Sequence, residues 1–150
     1  MSASSAAASS SKPEAEFKKV EQRPWGWFEQ FNENSQCSVK LIHVKARSRL
    51  SLQYHNHRNE FWKVIRGPVR VEIGGKEYRG EEGDEFRIPA GSKHRLAALE
   101  NDALLLEISY GRFDENDIIR VEDDFGRVIV EENEKEKEKG RGAKAYLEAS

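Results

Sequence analysis

The chain has 150 residues, of which 37% are hydrophobic and 35% are charged, and its formal net charge is -2. This length and balance predict one domain with a modest core. The weak net charge creates no field that would favour nucleic acid or an anionic membrane as a partner. No apolar run approaches the length of a membrane span, and no secretory signal is expected at the N-terminus.

Two low-complexity segments are expected to flank the domain. Residues 1–19 are rich in Ser and Ala and are predicted to be disordered, because they hold almost no large apolar side chain. Residues 128–150 alternate Glu and Lys and are predicted to form a solvated, partly helical or disordered tail. Residues 20–127 are predicted to be the folded domain. The lone Cys37 cannot form an intrachain disulfide, so a reducing cytoplasm is the expected location.

The predicted elements of the domain are short strands separated by turns. Residues 23–28, with two tryptophans beside Pro and Gly, are expected to pack their rings on the barrel wall, and carbohydrate stacking is the functional alternative. Alternating runs then predict strands at 37–44, 50–54, 61–65, 69–73, 86–88, 94–98 and 104–110. Gly74-Gly75 is a two-residue hairpin signal. The pattern predicts an all-β protein with an antiparallel jelly-roll barrel.

Residues 113–127 contain an acidic cluster that matches neither a strand nor a helix pattern. A short helix or lid against the barrel is one expectation for this segment. No twelve-residue calcium loop with a terminal Glu is present, so a solvated face is the preferred interpretation of the acidic side chains.

The strongest chemical signal lies in residues 53–60, which read Gln-Tyr-His-Asn-His-Arg-Asn-Glu. Residues i and i+2 of a strand share a face, so His55 and His57 are expected to direct their imidazoles into one space. Glu60 reaches that space if the chain turns after His57. His94 ends a second ordered stretch and would add a ligand from another strand. Imidazoles and a carboxylate suit a divalent metal such as Zn, Mn or Fe, and the alternative is a solvated edge strand without a metal.

These two stretches resemble the paired motifs of the cupin family. The first motif is matched by His55, His57, Glu60 and Gly67, and the second by Gly83, Pro89, Gly91 and His94. Three features depart from the pattern: the gap from His57 to Glu60 is one residue short, Arg49 replaces a Gly, and Ala98 replaces an Asn.

The short gap resembles the type II mannose-6-phosphate isomerase branch of the cupins. Its Arg-Pro-Trp-Gly opening is matched at residues 23–26, its Leu-Ser-Leu-Gln-x-His-x-His-Arg-x-Glu-x-Trp core at 50–62, and its Asp-Ile-x-Arg-x-x-Asp-x-x-Gly-Arg closing motif at 117–127. The resemblance spans about residues 20–127. No stretch resembles the nucleotidyltransferase domain that many members of the branch carry.

The resemblance implies that the protein interconverts mannose 6-phosphate and fructose 6-phosphate by moving a proton through a cis-enediol. It also implies a divalent metal held by His55, His57, Glu60 and His94. Gln53 lies on the same predicted face and is either a further ligand or a residue that orients the sugar. The base is left open between Glu60, if it is not a ligand, and a hydroxide on the metal. Glu60, as a possible base, and Gln53, as a residue that could orient the sugar, are the candidate catalytic residues.

Cationic side chains near the motifs are candidates to hold the phosphate of the substrate. They are Arg49, Arg58, Lys93, Arg95 and Arg120. Taken singly, such side chains are more often solvated than functional. The expected partners are a small-molecule sugar phosphate and a second copy of the chain in a homodimer, with no nucleic acid and no membrane.

Two other functions fit the same fold, because one fold hosts many activities. A metal-dependent cupin dioxygenase would use the same ligands to hold iron, and a dry apolar pocket would favour it. A non-catalytic sugar-binding cupin would lack a base in its pocket. A basic mouth selective for phosphate would favour the isomerase.

Overall fold

The computed structural model describes residues 18–130 and 145–146, and the regular elements among them are β-strands. In chain order they are β1 Lys19–Arg23, β2 Gly26–Gln30, β3 Cys37–Val44, β4 Leu52–Tyr54, β5 Asn59–Arg66, β6 Val69–Ile73, β7 Lys76–Gly80, β8 Glu85–Ile88, β9 His94–Ala98, β10 Ala103–Tyr110, β11 Ile119–Glu122, β12 Ile129–Val130 and β13 Ala145–Tyr146. Most of the two predicted tails lies outside the described residues. The described part contains no helix with the length and hydropathy needed to cross a membrane.

Two antiparallel sheets pack face to face and form the barrel. One has the strand order β3-β10-β5-β8, and the other has the order β11-β4-β9-β6-β7. The core takes side chains from both sheets, among them Val44, Trp62, Val64, Val69, Val71, Leu96 and Leu105. This arrangement confirms the predicted all-β antiparallel jelly roll. The short pairing of β12 with β13 was not expected from the sequence.

The interior of the barrel changes character along its length. The buried inward positions of β10 are Ala103, Leu105, Glu107 and Ser109, and the positions of β5 opposite the last three are Val64, Trp62 and Glu60. Since side chains alternate between faces, both strands present apolar groups at one end of the interior and polar groups at the other. We call these the apolar end and the polar end.

The apolar end is filled to contact distance. A Cβ atom placed on Gly80 would lie 2.9 Å from Val69 Cγ2 and 3.1 Å from Phe86 Cε2. Such distances are shorter than normal carbon contacts, so this position on β7 accommodates only glycine. The hairpin before it turns at Gly74 and Gly75, whose φ angles of 57° and 81° are those of the predicted two-residue turn.

The aromatic stretch near the N-terminus does not pack as expected. β1 and β2 form a separate two-stranded sheet, and the side chains of Trp25 and Trp27 are 73% and 62% exposed. The prediction that they pack on the core is therefore wrong. The barrel is instead contacted by Phe31, whose ring centroid lies 5.1 Å from that of Phe61.

The acidic segment 113–127 forms a strand and turns, and the expectation of a helix is wrong. Its β11 pairs with β4 at the edge of the five-stranded sheet. Several of its acidic side chains accept hydrogen bonds from arginine side chains. Asp123 accepts hydrogen bonds from the Arg127 guanidinium, and Asp124 accepts two from Arg49.

Candidate metal centre

The loop that joins β4 to β5 carries the two neighbouring histidines. β4 ends at Tyr54, so the alternation that would place His55 and His57 on one face does not continue through them. His55 is buried, whereas the side chain of His57 is exposed to solvent. The expectation of a shared strand face is wrong, and the structure does not bring His57 to the other proposed ligands.

Three of the four proposed ligands converge at the polar end. One ligand atom each from His55, Glu60 and His94 lies within 4.8 Å of the other two. His55 Nε2 is 3.1 Å from Glu60 Oε1, and His94 Nε2 is 3.6 Å from Glu60 Oε2. Glu60 belongs to one sheet and His94 to the other, so the cluster bridges the interior. All three side chains are 1–2% exposed.

Carbonyl groups fix the orientation of both imidazoles. Nδ1 of His55 lies 2.6 Å from the Asp117 carbonyl oxygen, and Nδ1 of His94 lies 2.9 Å from that of Ser92. A carbonyl oxygen only accepts, so Nδ1 carries the hydrogen in each ring. Burial lowers the pKa of His94, which keeps that ring neutral. In this neutral ring, Nε2 of His94 therefore carries a lone pair, and it lies 3.6 Å from Glu60 Oε2.

This donor set fits a divalent metal ion. His94 Nε2 is buried and has no hydrogen-bond partner, which is rare for a buried polar atom. Two imidazole nitrogens and a carboxylate around one point are ligands of the kind that a divalent ion takes. The chain therefore fits the metal that the cupin resemblance implies, and His55, Glu60 and His94 are the residues that would hold it.

Asp117 holds the histidine loop in place. Its carboxylate accepts the backbone N–H groups of Asn56 and His57, each at 2.9 Å, while its own carbonyl oxygen binds His55. Burial opposes the charge, but these two backbone hydrogen bonds keep the pKa of Asp117 below its ordinary value. His57 thus contributes a backbone donor to the site. Sequence analysis placed Asp117 in the closing motif without giving it this role.

A second buried carboxyl group, on Glu107, was missed by sequence analysis. The indole Nε1–H of Trp62 lies 3.1 Å from Glu107 Oε2 and 3.2 Å from Glu60 Oε2, so both can accept from it. Burial and the charge of Glu60 raise the pKa of Glu107 to about 7. A lone acidic residue at an inward position of an otherwise apolar strand was the signal that could have revealed it.

The environment of Glu60 differs from that of Glu107. Burial alone would raise the pKa of Glu60, but the hydrogen bond with His55 and the charge of Arg58 outweigh burial and lower it to about 2. Glu60 is therefore anionic at neutral pH, which suits a metal ligand and makes it a weak base.

Arg58 lies inside the cluster, although a place at the pocket mouth was expected. Its Nε donates to Glu60 Oε1 at 3.1 Å, and its Nη2 lies 3.3 Å from His55 Nε2. The guanidinium also stacks on the ring of Phe113 at 4.5 Å from the centroid. The Arg58 guanidinium thus lies between 3.1 and 3.3 Å from ligand atoms of Glu60 and His55.

Gln53 and Arg120 share the inward face with His94. Gln53 is paired directly with His94 on one side and with Arg120 on the other. Directly paired residues project to the same face of a sheet, so the three form a row across β9, β4 and β11. Gln53 Oε1 accepts from Ser51 at 2.8 Å, and Arg120 Nε is buried without a hydrogen-bond partner.

The other three predicted phosphate ligands lie elsewhere. Arg49 pairs with Asp124, with Nε to Oδ2 at 2.7 Å. Arg95 is buried and donates to Glu122 at 3.2 Å, which ties β9 to β11. The side chain of Lys93 is exposed. The structure does not bring any of these side chains to the metal ligands.

Comparison with known sequences matches the chain to one protein family and to longer relatives. The family model of the mannose-6-phosphate isomerase C-terminal domain matches residues 10–123. The mannose-1-phosphate guanylyltransferase ManC of Salmonella typhimurium is 38% identical over 111 residues, which are 71% of this chain and 22% of that protein. The alginate biosynthesis protein AlgA of Pseudomonas aeruginosa is 39% identical over 108 residues, with the same coverages. The chain thus spans about a fifth of the length of these relatives.

Solved structures show the same fold. KdgF from Halomonas sp. aligns with a TM-score of 0.52 at 20% identity, covering 66% of this chain and 81% of that protein. Oxalate decarboxylase from Bacillus subtilis aligns with a TM-score of 0.52 at 27% identity, covering 58% of this chain and 24% of that protein. With a family match over most of its length and a barrel of this kind, the chain belongs to the mannose-6-phosphate isomerase C-terminal family of cupins.

Proposed function

We propose that this protein is a metal-dependent isomerase that interconverts mannose 6-phosphate and fructose 6-phosphate. The observation that carries the proposal is the pairing of a buried metal-ligand cluster with a second carboxyl group, Glu107, of very different pKa. Two titratable groups with pKa values pushed apart provide an acid–base assignment. The name of the matched family supports the choice of substrate.

The guanylyltransferase activity in the names of the curated relatives is not carried over. The match to ManC covers 22% of that protein, so most of its length has no counterpart in the aligned region. The shared part is the cupin domain, and the function is therefore argued from the site in this domain.

A divalent ion bound by His55, Glu60 and His94 would supply a Lewis acid that stabilises negative charge developing on the sugar oxygens. The chain's own residues orient that acid. Asp117 and Ser92 hold the imidazoles through their carbonyl groups, so the ligand atoms are positioned before the substrate arrives.

Glu107 is the group that moves the proton in this proposal. With a pKa of about 7, both its protonated and ionised forms are populated near neutral pH. The carboxylate accepts the proton from C2 of mannose 6-phosphate and returns it to C1, while the hydroxyl proton passes from O2 to O1, as the ketose forms. The Trp62 N–H holds Oε2, so the proton is exchanged at Oε1.

Gln53 and Arg120 bind the sugar and its phosphate. Neighbouring strands are about 4.8 Å apart, so Arg120 begins roughly 10 Å from His94 across the sheet. That span suits an extended six-carbon sugar phosphate with its reacting carbons at the ligand cluster. The buried, unpartnered Nε of Arg120 can donate to the phosphate, and Gln53 to a hydroxyl group between them.

The test is an isomerase assay on metal-loaded protein in deuterated water. Apo protein reloaded with Mn²⁺ or Zn²⁺ is expected to convert mannose 6-phosphate into fructose 6-phosphate, with solvent deuterium appearing at the transferred position by NMR. Unphosphorylated mannose is the control and should react poorly, because Arg120 has no anion to bind. Metal binding without conversion would favour a sugar-binding cupin, and oxygen-dependent consumption would favour a dioxygenase.

A further inference from the structure

All three nitrogens of the Arg58 guanidinium are engaged inside the protein. Nε donates to Glu60 Oε1 at 3.1 Å, Nη2 lies 3.3 Å from His55 Nε2, and Nη1 donates to the Asp114 carbonyl oxygen at 3.0 Å. The residue is 7% exposed. A buried carboxylate needs a cation or hydrogen-bond donors nearby, and Arg58 fills both roles for Glu60.

His55 makes this arrangement exclusive. Its Nδ1 is taken up by the Asp117 carbonyl oxygen, so Nε2 is the ring nitrogen that remains to bind a metal ion. Arg58 Nη2 lies 3.3 Å from that atom, so a metal ion bound to Nε2 would take the position that the guanidinium now fills. A divalent ion beside the guanidinium would also meet strong charge repulsion in a buried setting.

We propose that Arg58 is the resident cation of the metal-free site and that a divalent metal ion binds by displacing its guanidinium. One cation is exchanged for another, and the charge of Glu60 is compensated in both states. The inference rests on the metal centre of the proposed function, but it does not require isomerase activity.

The displaced side chain keeps part of its present environment. The Phe113 ring and the Asp114 carbonyl belong to the segment between β10 and β11, which contributes none of the three clustered ligands. If the guanidinium rotates while it stays stacked on Phe113, it loses its contacts with Glu60 and His55 and keeps the cation–π contact.

Zinc affinity of the purified full chain tests the exchange. The substitution Arg58→Gln removes the charge and keeps a polar side chain, so Zn²⁺ should bind roughly ten-fold or more tightly by calorimetry, because no cation has to be displaced. Arg95→Gln is the matched control, since Arg95 is also 7% exposed but pairs with Glu122 outside the cluster. Its zinc affinity should equal that of the wild type.

Thermal unfolding gives the second readout. Metal-free Arg58→Gln should unfold at a lower temperature than metal-free wild type, because Glu60 loses its buried partner, and saturating Zn²⁺ should narrow that gap. If the metal-free variant does not fold, NMR of wild-type arginine Nε–H groups replaces it. The Arg58 signal should then shift and lose protection from exchange as Zn²⁺ is added.

The outcomes separate this inference from the proposed function. Equal or weaker zinc binding by Arg58→Gln, or an Arg58 signal unmoved by bound zinc, would overturn the exchange and leave the metal centre intact. Failure of Zn²⁺ to bind both wild type and variant would overturn the metal centre together with the exchange. Absence of isomerase activity in a zinc-binding protein would count against the proposed function alone.

Discussion

The two ends of the barrel interior are built on the same strands but have opposite chemistry. At the apolar end, the side chains of Val64, Val69 and Leu105 are fully buried in the core between the two sheets. At the polar end, Glu60 and Glu107 are buried to nearly the same extent. Burying two carboxyl groups opposes folding unless each is neutralised or hydrogen-bonded.

The comparison shows how the fold tolerates a costly site. The apolar end provides close-packed burial that favours folding, since each fully buried large side chain contributes about 1.5–3 kcal/mol. The two carboxyl groups of the polar end are accommodated in different ways. Glu60 stays anionic beside Arg58, whereas the pKa of Glu107 is raised to about 7. Stability and chemistry are therefore separated along the same strands, and substitutions should separate them too.

The largest effect is expected from Glu60→Gln at the polar end. The amide keeps the size of the side chain but binds a divalent ion poorly, and it leaves Arg58 without its anion. Metal affinity should fall more than about 100-fold, beyond the loss typical of residues that only support a ligand, and activity should fall with it. Bound metal and isomerase rate are measured on one preparation, with excess metal expected to restore part of the rate. Full occupancy without turnover would move Glu60 to the role of base.

Glu107→Gln should lower turnover and leave metal content unchanged. Glutamine matches the protonated acid in shape and still accepts from Trp62, but it cannot carry a proton, so kcat should fall about 10²–10⁴-fold. In the wild type, the rate should rise as pH increases through the pKa of Glu107, about 7, because the ionised form is the base. The variant's residual rate should lack this dependence. Normal kcat in the variant would show that Glu107 is only a structural acid.

Leu105→Ala probes the apolar end. Removing a fully buried leucine should lower the free energy of unfolding by about 2–5 kcal/mol, through lost burial and the cavity left behind. Urea denaturation measures that loss, and metal stoichiometry of the folded protein should stay the same. If metal were lost while stability hardly changed, the two ends of the interior would not be independent.

Asp123→Asn tests a charge outside the interior and should have the smallest effect. Hydrogen bonds from Arg127 outweigh burial and lower the pKa of Asp123 to about 2. Because this pKa is below its unfolded value, the stabilisation is complete above that value and is lost as pH falls toward about 2. The pair is partly screened by solvent, so the substitution should cost about 0.5–1 kcal/mol near neutral pH and less in acid, measured by denaturation at both pH values. An equal loss at both would exclude the charged pair as the cause.

Local patterns predicted the strands but not the ends of all of them. β3, β6 and β9 match the predicted ranges in both bounds, because alternation and turn residues are short-range signals. The prediction that His57 shares a strand face with His55 was wrong. Asp117, sixty residues later in the chain, binds the backbone of the histidine loop, which does not continue the strand. No periodicity near His57 reports a contact of that kind.

Three of the four proposed ligands were predictable as neighbours, whereas the second carboxyl group was not. His55, Glu60 and His94 carry motif spacing, whereas the properties of Glu107 depend on Glu60 across the sheet. Arg58 shows the same limit: its sequence position predicted a role near the site, but its contact with the ligand atoms depends on how the loop folds.

The tight contact around Gly80 has a consequence for traffic through the barrel. Since a methyl group on Gly80 would clash with Val69 and Phe86, this point of the apolar end has no room for a passing molecule. We therefore expect a molecule that reaches the ligand cluster from the polar end to leave on the same side. Substrate entry and product departure would then exclude each other in time, and accumulated product would compete directly with incoming substrate.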